Sequence, residues 1–275
     1  MRQRISIVIC AKNEALNLPA VLEAVKPHAD EVIVVDGHSV DATAEVAARG
    51  GARVVLDHRL GKGDAIRVGA NAAHGDILLF MDADHSHSPH DVPRLLEPLL
   101  NGDADHVSGS RMLGGSDELF SSIAEFCRLV GSEIITLTIG KRFGVRLTDS
   151  QNGFRCIRKD VFSQLRLVEN STTIEQEMVI ETLRRGFRLI EVPTHEYRRA
   201  HGLSSIVVWK VGYRYVLCLI KNVLKPRLQN PAGDVHAAQE RYRVRWDRQR
   251  PGERSDHEPA GVRQAVPVSP PTTPR

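Results

Sequence analysis

Ile77-Leu78-Leu79-Phe80-Met81-Asp82-Ala83-Asp84 is the stretch on which the reading of this chain turns. Its apolar run is too short for a helix and uninterrupted by polar residues, which predicts a strand buried on both faces. Strands of that kind belong to parallel sheets covered by helices. Upstream, Ile5 to Cys10, Val32 to Val35 and Ala52 to Leu56 are apolar runs of the same sort. Helical patterns separate them. After Asn17, which suits an N-cap, Leu18, Val21, Leu22 and Val25 recur at helical spacing, and further helices are predicted over about 41–49 and 62–73. Alternating strands and helices imply βαβ units, a mostly parallel sheet and right-handed crossovers. In such sheets ligands gather at the carboxyl ends of the strands, where Asp82 and Asp84 stand.

Downstream the pattern is mixed. Strands are predicted over Ala104 to Gly109 and Arg188 to Val192, and helices from Leu119 to Gly140 and from Thr173 to Arg185, the last closed by Gly186. Residues 1–204 read as one α/β unit and 205–225 as an amphipathic helix. Residues 226–275, rich in Pro, Arg, Gln and Asp, read as a polar, disordered tail whose end, Val266 to Arg275, cannot assemble a core.

The chain has 275 residues, 41% of them hydrophobic, enough for one large core. A net charge of +3 is too weak to argue for nucleic acid. Cys10, Cys127, Cys156 and Cys218 are far apart and form no CxxC pair, so a reduced, cytoplasmic protein without a cysteine metal site is expected. The sequence runs straight into the first strand, so no signal peptide is expected. The two longest apolar stretches are broken by Glu125, Arg128 and Glu133, and by Lys210, Arg214 and Lys221, so neither spans a bilayer as written.

Two carboxylates one residue apart at a strand end can share a hard divalent cation, Mg²⁺ or Mn²⁺, bridging to a substrate diphosphate. A solvated acidic turn fits the same residues. His85, His87 and His90 close by, with His38 and His58 near other strand ends, raise zinc as an alternative. Asp36 ends the second strand, where it can accept hydrogen bonds from a base or ribose, whereas Ser39 and Asp41 suit a helix cap. Gly61-Lys62-Gly63 is a flexible loop with a cation opening a helix, which suits an anion.

Taken in order, Ala11-Lys12-Asn13-Glu14, the stretch Asp36 to Thr43, Gly61-Lys62-Gly63 and Asp82-Ala83-Asp84 resemble the nucleotide-binding half of family 2 glycosyltransferases of the GT-A fold. Gly109-Ser110-Arg111, Asp149 to Arg155, Glu177, Glu191-Val192-Pro193, Arg199, Gly202 and Ser204 are similar to the polyprenyl-phosphate (dolichyl-phosphate) mannosyl- and glucosyltransferase branch. The resemblance implies a GT-A, Rossmann-like sheet flanked by helices and inverting transfer from a nucleotide-sugar, GDP-mannose or a UDP-hexose. Glu14, Asp36 and Lys62 would hold base and ribose. Asp82 and Asp84 would hold ribose, metal and diphosphate. Arg199 would neutralise the leaving diphosphate, a task suited to a guanidinium fork. Arg111 and Arg155 are candidates for the acceptor phosphate. The chain departs from the family pattern at Gly37, Ser86 and Ser205, where relatives carry Asp, often an amide, and Lys.

The acceptor divides the readings. A phosphate monoester is already anionic at neutral pH, its second pKa being about 6. It needs cations to position it, whereas a sugar hydroxyl needs a carboxylate base. Glu175 falls where hydroxyl-using relatives keep their base, and Glu177 where the lipid-phosphate branch keeps its Glu. The Glu191 to Ser204 stretch leans towards the lipid. In a helix over 205–225, Lys210, Arg214, Lys221 and Lys225 share one narrow face, while Trp209, Tyr213, Val216, Leu217 and Ile220 cover much of the rest. That suits peripheral attachment at the inner face of an anionic membrane, and equally a core helix with a wet stripe. A silent nucleotide-binding module would keep the fold but would not need Asp82, Asp84 and Arg199 together.

Overall fold

The computed structural model describes residues 2–117, 123–199, 208–228 and 235–249. Along the chain they form β1 (Ile5–Ala11), α1 (Leu18–Val25), β2 (Glu31–Asp36), α2 (Thr43–Arg49), β3 (Arg53–Leu56), α3 (Lys62–Ala72) and β4 (Ile77–Asp82). There follow α4 (Val92–Leu100), β5 (His106–Ser110), α5 (Arg111–Gly114), α6 (Ile123–Phe143), β6 (Arg155–Arg158), α7 (Lys159–Phe162), α8 (Ile174–Arg184), β7 (Leu189–Pro193), α9 (Val208–Val223) and α10 (Val235–Gln249). The strands make one seven-stranded sheet in the order β3-β2-β1-β4-β6-β5-β7. Only β6 runs antiparallel to its neighbours.

Register explains why the expected motifs meet. Leu56 pairs with Asp36, Asp36 with Ala11, and Cys10 with Asp82, so the carboxyl ends of β3, β2, β1 and β4 lie in one row. Side chains alternate across each strand. Ile7, Ile9, Leu79 and Met81 enter the core under α1 and α4. Val8, Leu78 and Phe80 enter the opposite core with Ile66 of α3 and Met178 of α8. Each such fully buried side chain contributes about 1.5–3 kcal/mol of transfer free energy. The polar carboxyl edge is thereby held between two packed layers.

The departures from expectation lie in the second half. Strand β6 is absent from the sequence reading because Arg155-Cys156-Ile157-Arg158 carries charge at both ends and is shorter than a legible apolar run. Its place is set by pairing between β4 and β5. β5 begins at His106, two residues later than expected, and the Asp105 carboxylate just before it is engaged by the backbone and guanidinium of Arg188. Within the expected tail, residues 235–249 form α10. Val235, Ala238 and Tyr242 recur at helical spacing and are buried, which supplies the apolar contact that composition alone conceals. Helix α8 is buried along its whole length, packed by α6 and α9 on its outer side. Among the described residues no helix is long and apolar enough to cross a membrane.

Candidate active site

Asp82 ends β4 beneath the Nζ of Lys62, which lies 2.8 Å from its Oδ1 and 2.9 Å from its Oδ2. The same ammonium is 2.9 Å from Oε1 of Glu175, in the first turn of α8. Burial alone would lower the Lys62 pKa, but the two carboxylates overcome it and hold it well above the ordinary lysine value. Burial likewise pushes the Asp82 carboxyl up, and Lys62, with His87 and Arg199 behind it, brings it below the usual range. Both partners therefore stay charged. The glycines beside Lys62 serve packing: a Cβ at Gly61 would approach the Asn170 carbonyl oxygen to 2.6 Å, and Gly63 N–H donates to that same oxygen at 2.9 Å.

Asp84 is turned by His85, which sits in the left-handed region at φ 65. Its Oδ1 accepts from Ser86 N–H at 3.0 Å and from Ser86 Oγ at 2.6 Å, while Oδ2 lies 2.9 Å from Nη2 of Arg199. Ser86 thus orients Asp84. Three carboxylates, Asp82, Asp84 and Glu175, face two cations, Lys62 and Arg199, leaving one net negative charge at this point.

Two cavities open on either side. One, of about 650 Å³, runs along the carboxyl ends of β1 to β3 and is lined by Lys12, Glu14, Gly37, His38, Asp57 and Arg59 among others. The other, of about 540 Å³, reaches past Arg111 and Asp149 to an apolar wall of Leu129, Ile134 and Ile135 from α6 and Tyr215, Val216 and Leu219 from α9. Lys62, Asp82, Asp84, Thr172 and Arg199 line both. The charged cluster is the junction between the two cavities.

Of the residues singled out from sequence, Asp82, Asp84, Lys62, Arg199, Glu175 and Arg111 meet around the second cavity, and Glu14 lines the first. The Glu14 carboxyl accepts from Asn17 at 2.6 Å, and burial, opposed by that bond, raises its pKa. Arg111 is locked to Asp149, Nε to Oδ2 at 2.6 Å and Nη2 to Oδ1 at 3.0 Å, and reaches Glu196 at 3.3 Å.

Three of the residues named from the sequence stand away from the cavity linings. Asp36 is 3% exposed and is not among the residues lining either cavity; its Oδ1 accepts from the backbone N–H and hydroxyl of Ser39, which shapes the turn after β2. Arg155 is 0% exposed, its guanidinium donating to the carbonyls of Asn152 and Glu175, which leaves it no access to an acceptor phosphate. Glu177 lines neither cavity, because its Oε2 caps the Val168 and Glu169 N–H groups at 2.9 Å each. Gly202, Ser204 and Ser205 lie outside the described residues.

The histidines are dispersed among other tasks. His38 Nε2 bonds the Asp57 carbonyl at 2.8 Å, His58 pairs with Asp64 at 2.9 Å and His85 Nε2 bonds the Asn17 carbonyl at 2.9 Å. His87 stacks on Phe154 at 4.9 Å and accepts the Asp82 N–H; burial lowers its pKa. Among the described residues no three His, Cys, Asp or Glu side chains are grouped to hold a metal by themselves. Sequence reasoning missed Asp57 and Arg59, although they follow a strand as Asp36 and Asp82 do. It also missed Thr172 and Tyr215, for which no local signal exists.

An open row of strand ends carrying two carboxylates, with a cavity on either side of them, is the ligand-binding edge of a GT-A α/β fold. Residues 6–166 match the profile of glycosyl transferase family 2. The chain belongs to that family and is a glycosyltransferase. It is 30% identical over 190 residues to glycosyltransferase AglJ of Haloferax volcanii, covering 67% of this chain and 61% of that protein. An uncharacterized glycosyltransferase of Mycobacterium tuberculosis is 31% identical over 202 residues, 74% of this chain and 89% of its own. The undecaprenyl-phosphate 4-deoxy-4-formamido-L-arabinose transferase of Aeromonas hydrophila is 29% identical over 251 residues, 85% of this chain and 72% of that protein. Among solved structures, glucosyl-3-phosphoglycerate synthase from Mycobacterium tuberculosis, in complex with Mn²⁺, UDP-glucose and phosphoglyceric acid, superposes with a TM-score of 0.64 at 22% identity, covering 83% of this chain and 81% of that one. At that identity the likeness speaks for the fold.

Proposed function

We propose that this chain transfers a sugar, with inversion, from a nucleotide-sugar to a polyprenyl phosphate. The observation that carries the reading is the second cavity, which joins Arg111 and the Lys62–Asp82–Asp84–Arg199 junction to Leu129, Ile134 and Ile135 of α6 and Tyr215, Val216 and Leu219 of α9, with Arg128, Ser132 and Glu133 beside them. A lipid phosphate needs that combination: cations for its head and an apolar path for its chain. The Aeromonas hydrophila relative, named for undecaprenyl phosphate, supports the same acceptor.

In this reading the nucleotide occupies the first cavity, with Glu14 on its wall, and the diphosphate reaches the junction. Asp82 and Asp84 fit Mg²⁺ or Mn²⁺, offering hard carboxylate oxygens at a point of net negative charge, with substrate oxygens completing the shell. When bound, the cation supplies Lewis-acid stabilisation of the leaving diphosphate. Arg199 shares that neutralisation once its pairing with Asp84 is exchanged for the leaving group. Arg111, held by Asp149, steers the acceptor phosphate, which attacks the anomeric carbon as an anion and needs no base.

The surface fits a lipid substrate. Val130, Ile134 and Leu137 are exposed on α6 at helical spacing, as are Tyr213, Val216, Leu217 and Ile220 on α9, beside exposed Arg214 and Lys221. An apolar face flanked by cations suits an anionic bilayer surface. Lys225, expected on the same basic stripe, lies past the end of α9 and bonds Asn222 at 2.6 Å.

One observation favours a hydroxyl acceptor. Glu175 is 2% exposed, lines the second cavity and has an Oε2 with no partner among the described residues. It is the group that would take a hydroxyl proton.

The deciding experiment supplies purified protein with Mn²⁺, labelled GDP-mannose or UDP-hexoses, and either undecaprenyl phosphate in phosphatidylglycerol-containing vesicles or soluble sugars. Label in the organic phase is the expected result. Transfer only to soluble acceptors would sink the lipid reading.

A further inference from the structure

Behind Arg111 the structure places a second layer. Glu191 stands on β7, lines neither cavity, and aims its carboxylate at the backs of two wall residues. Its Oε1 accepts the Asp149 N–H at 2.7 Å. Its Oε2 accepts the Thr148 N–H at 2.7 Å and the Thr148 hydroxyl at 3.0 Å. None of these bonds belongs to a sheet ladder. They fix the loop at 148–149, and that loop presents the Asp149 carboxylate to Nε and Nη2 of Arg111. Thr148 Oγ1 also meets Ser110 Oγ at 2.7 Å, next to Arg111 in sequence, so the loop is tied to both ends of the arginine's setting.

We infer that Glu191 is the positioning residue of the acceptor end, setting Arg111 through Thr148 and Asp149. The inference rests on the proposed reading only in taking Arg111 to face the acceptor. Two backbone N–H donors converge on one carboxylate, an arrangement that requires acceptors on both oxygens. A glutamine there would turn an NH₂ group towards one of the two donors. The ionised form is held against resistance. Burial and the like charge of Asp149 push the Glu191 carboxyl up to about 7, although its N–H donors oppose them. The charged groups around it are Asp149, the guanidinium of Arg155 and, beyond Asp149, that of Arg111. Acidification through neutrality therefore loosens the clamp.

The test compares wild type, E191Q, R111K and the double variant in transfer to undecaprenyl phosphate in vesicles, with amide hydrogen exchange read on the same proteins. E191Q is expected to raise acceptor KM about tenfold, the order of one charge-assisted hydrogen bond, while donor KM stays unchanged. The double variant should be no worse than R111K, and the loss of acceptor affinity that wild type shows as pH falls through neutrality should be flattened in E191Q. Exchange at Thr148 and Asp149 should be faster in E191Q at pH above neutrality. Additive effects of the two substitutions, or donor and acceptor KM rising together, overturn the inference. Failure of wild type to label the lipid overturns the acceptor reading alone. In that event exchange still decides, since unchanged protection at Thr148 and Asp149 in E191Q removes the clamp whatever the acceptor.

Discussion

Lys62 Nζ lies 2.9 Å from Oε1 of Glu175, joining the first residue of α3 to the first turn of α8 across the site. With Asp82 on its other side, the ammonium stands on the wall that the two cavities share. Its removal leaves two carboxylates facing each other with little water to separate them.

K62M is therefore expected to destabilise the fold by about 2–4 kcal/mol at neutral pH, somewhat less than the roughly 3–5 kcal/mol for breaking a fully buried ion pair because Lys62 keeps some solvent contact. Urea denaturation checks this. Unchanged stability would mean that the two carboxylates relax apart without cost.

E175Q separates the acceptor classes. With a phosphate acceptor, transfer should stay within about tenfold of wild type, since no proton has to be removed. Loss of a general base costs about 10²–10⁴-fold, and a fall of that size with an intact fold identifies a hydroxyl acceptor.

D84N keeps the shape of the Ser86 turn while removing the charge that Arg199 and a cation would share. Metal-dependent transfer should drop by about 10²–10³-fold or more, the scale seen when one electrostatic stabiliser is lost. Full activity in this variant would remove Asp84 from the reaction.

Gly153 leaves little room for a side chain. A Cβ there would come within 3.0 Å of Lys62 Nζ and 3.2 Å of Asp82 Oδ2. G153A should displace these two chain ends, raising donor KM about tenfold through one weakened charge-assisted contact, with less than about 1 kcal/mol lost from stability because both atoms are flexible termini. Donor titration and thermal melts distinguish the two effects.

Far from the site, Glu31 supports the amino edge of the sheet. Burial would raise its carboxyl, but hydrogen bonds from Ser6 and His74 and the charge of Arg53 prevail and lower it to about 2. A carboxyl depressed in the fold stabilises above its unfolded pKa, and that contribution disappears as pH falls to the folded value. E31Q should accordingly cost about 2 kcal/mol at pH 7, discounted for the part of Glu31 that solvent reaches. The gap to wild type should close as the pH approaches about 2, as denaturant midpoints across that range will show.

The first four strands and their helices were legible because each rests on a local signal, an apolar run or a helical period. The same holds for Asp82 and Asp84, whose position follows from the end of β4. Arg111, Glu175 and Arg199 were reached through resemblance, and the cavity brings them together. Asp36 and Arg155 have the residue types a site would use, yet one caps Ser39 and the other is sealed among backbone carbonyls. No sequence pattern distinguishes a carboxylate spent on its own turn from one offered to a ligand.

By itself the sequence determined an α/β chain with its ligand edge at the strand ends and two carboxylates upon it. Tertiary structure alone decided that β6 enters antiparallel between β4 and β5, that Lys62 meets Glu175, and that Glu191 stands behind Arg111. The reason is range. Strand and helix periods are written in consecutive residues, whereas these meetings depend on sheet order and register, which only packing of the whole core fixes.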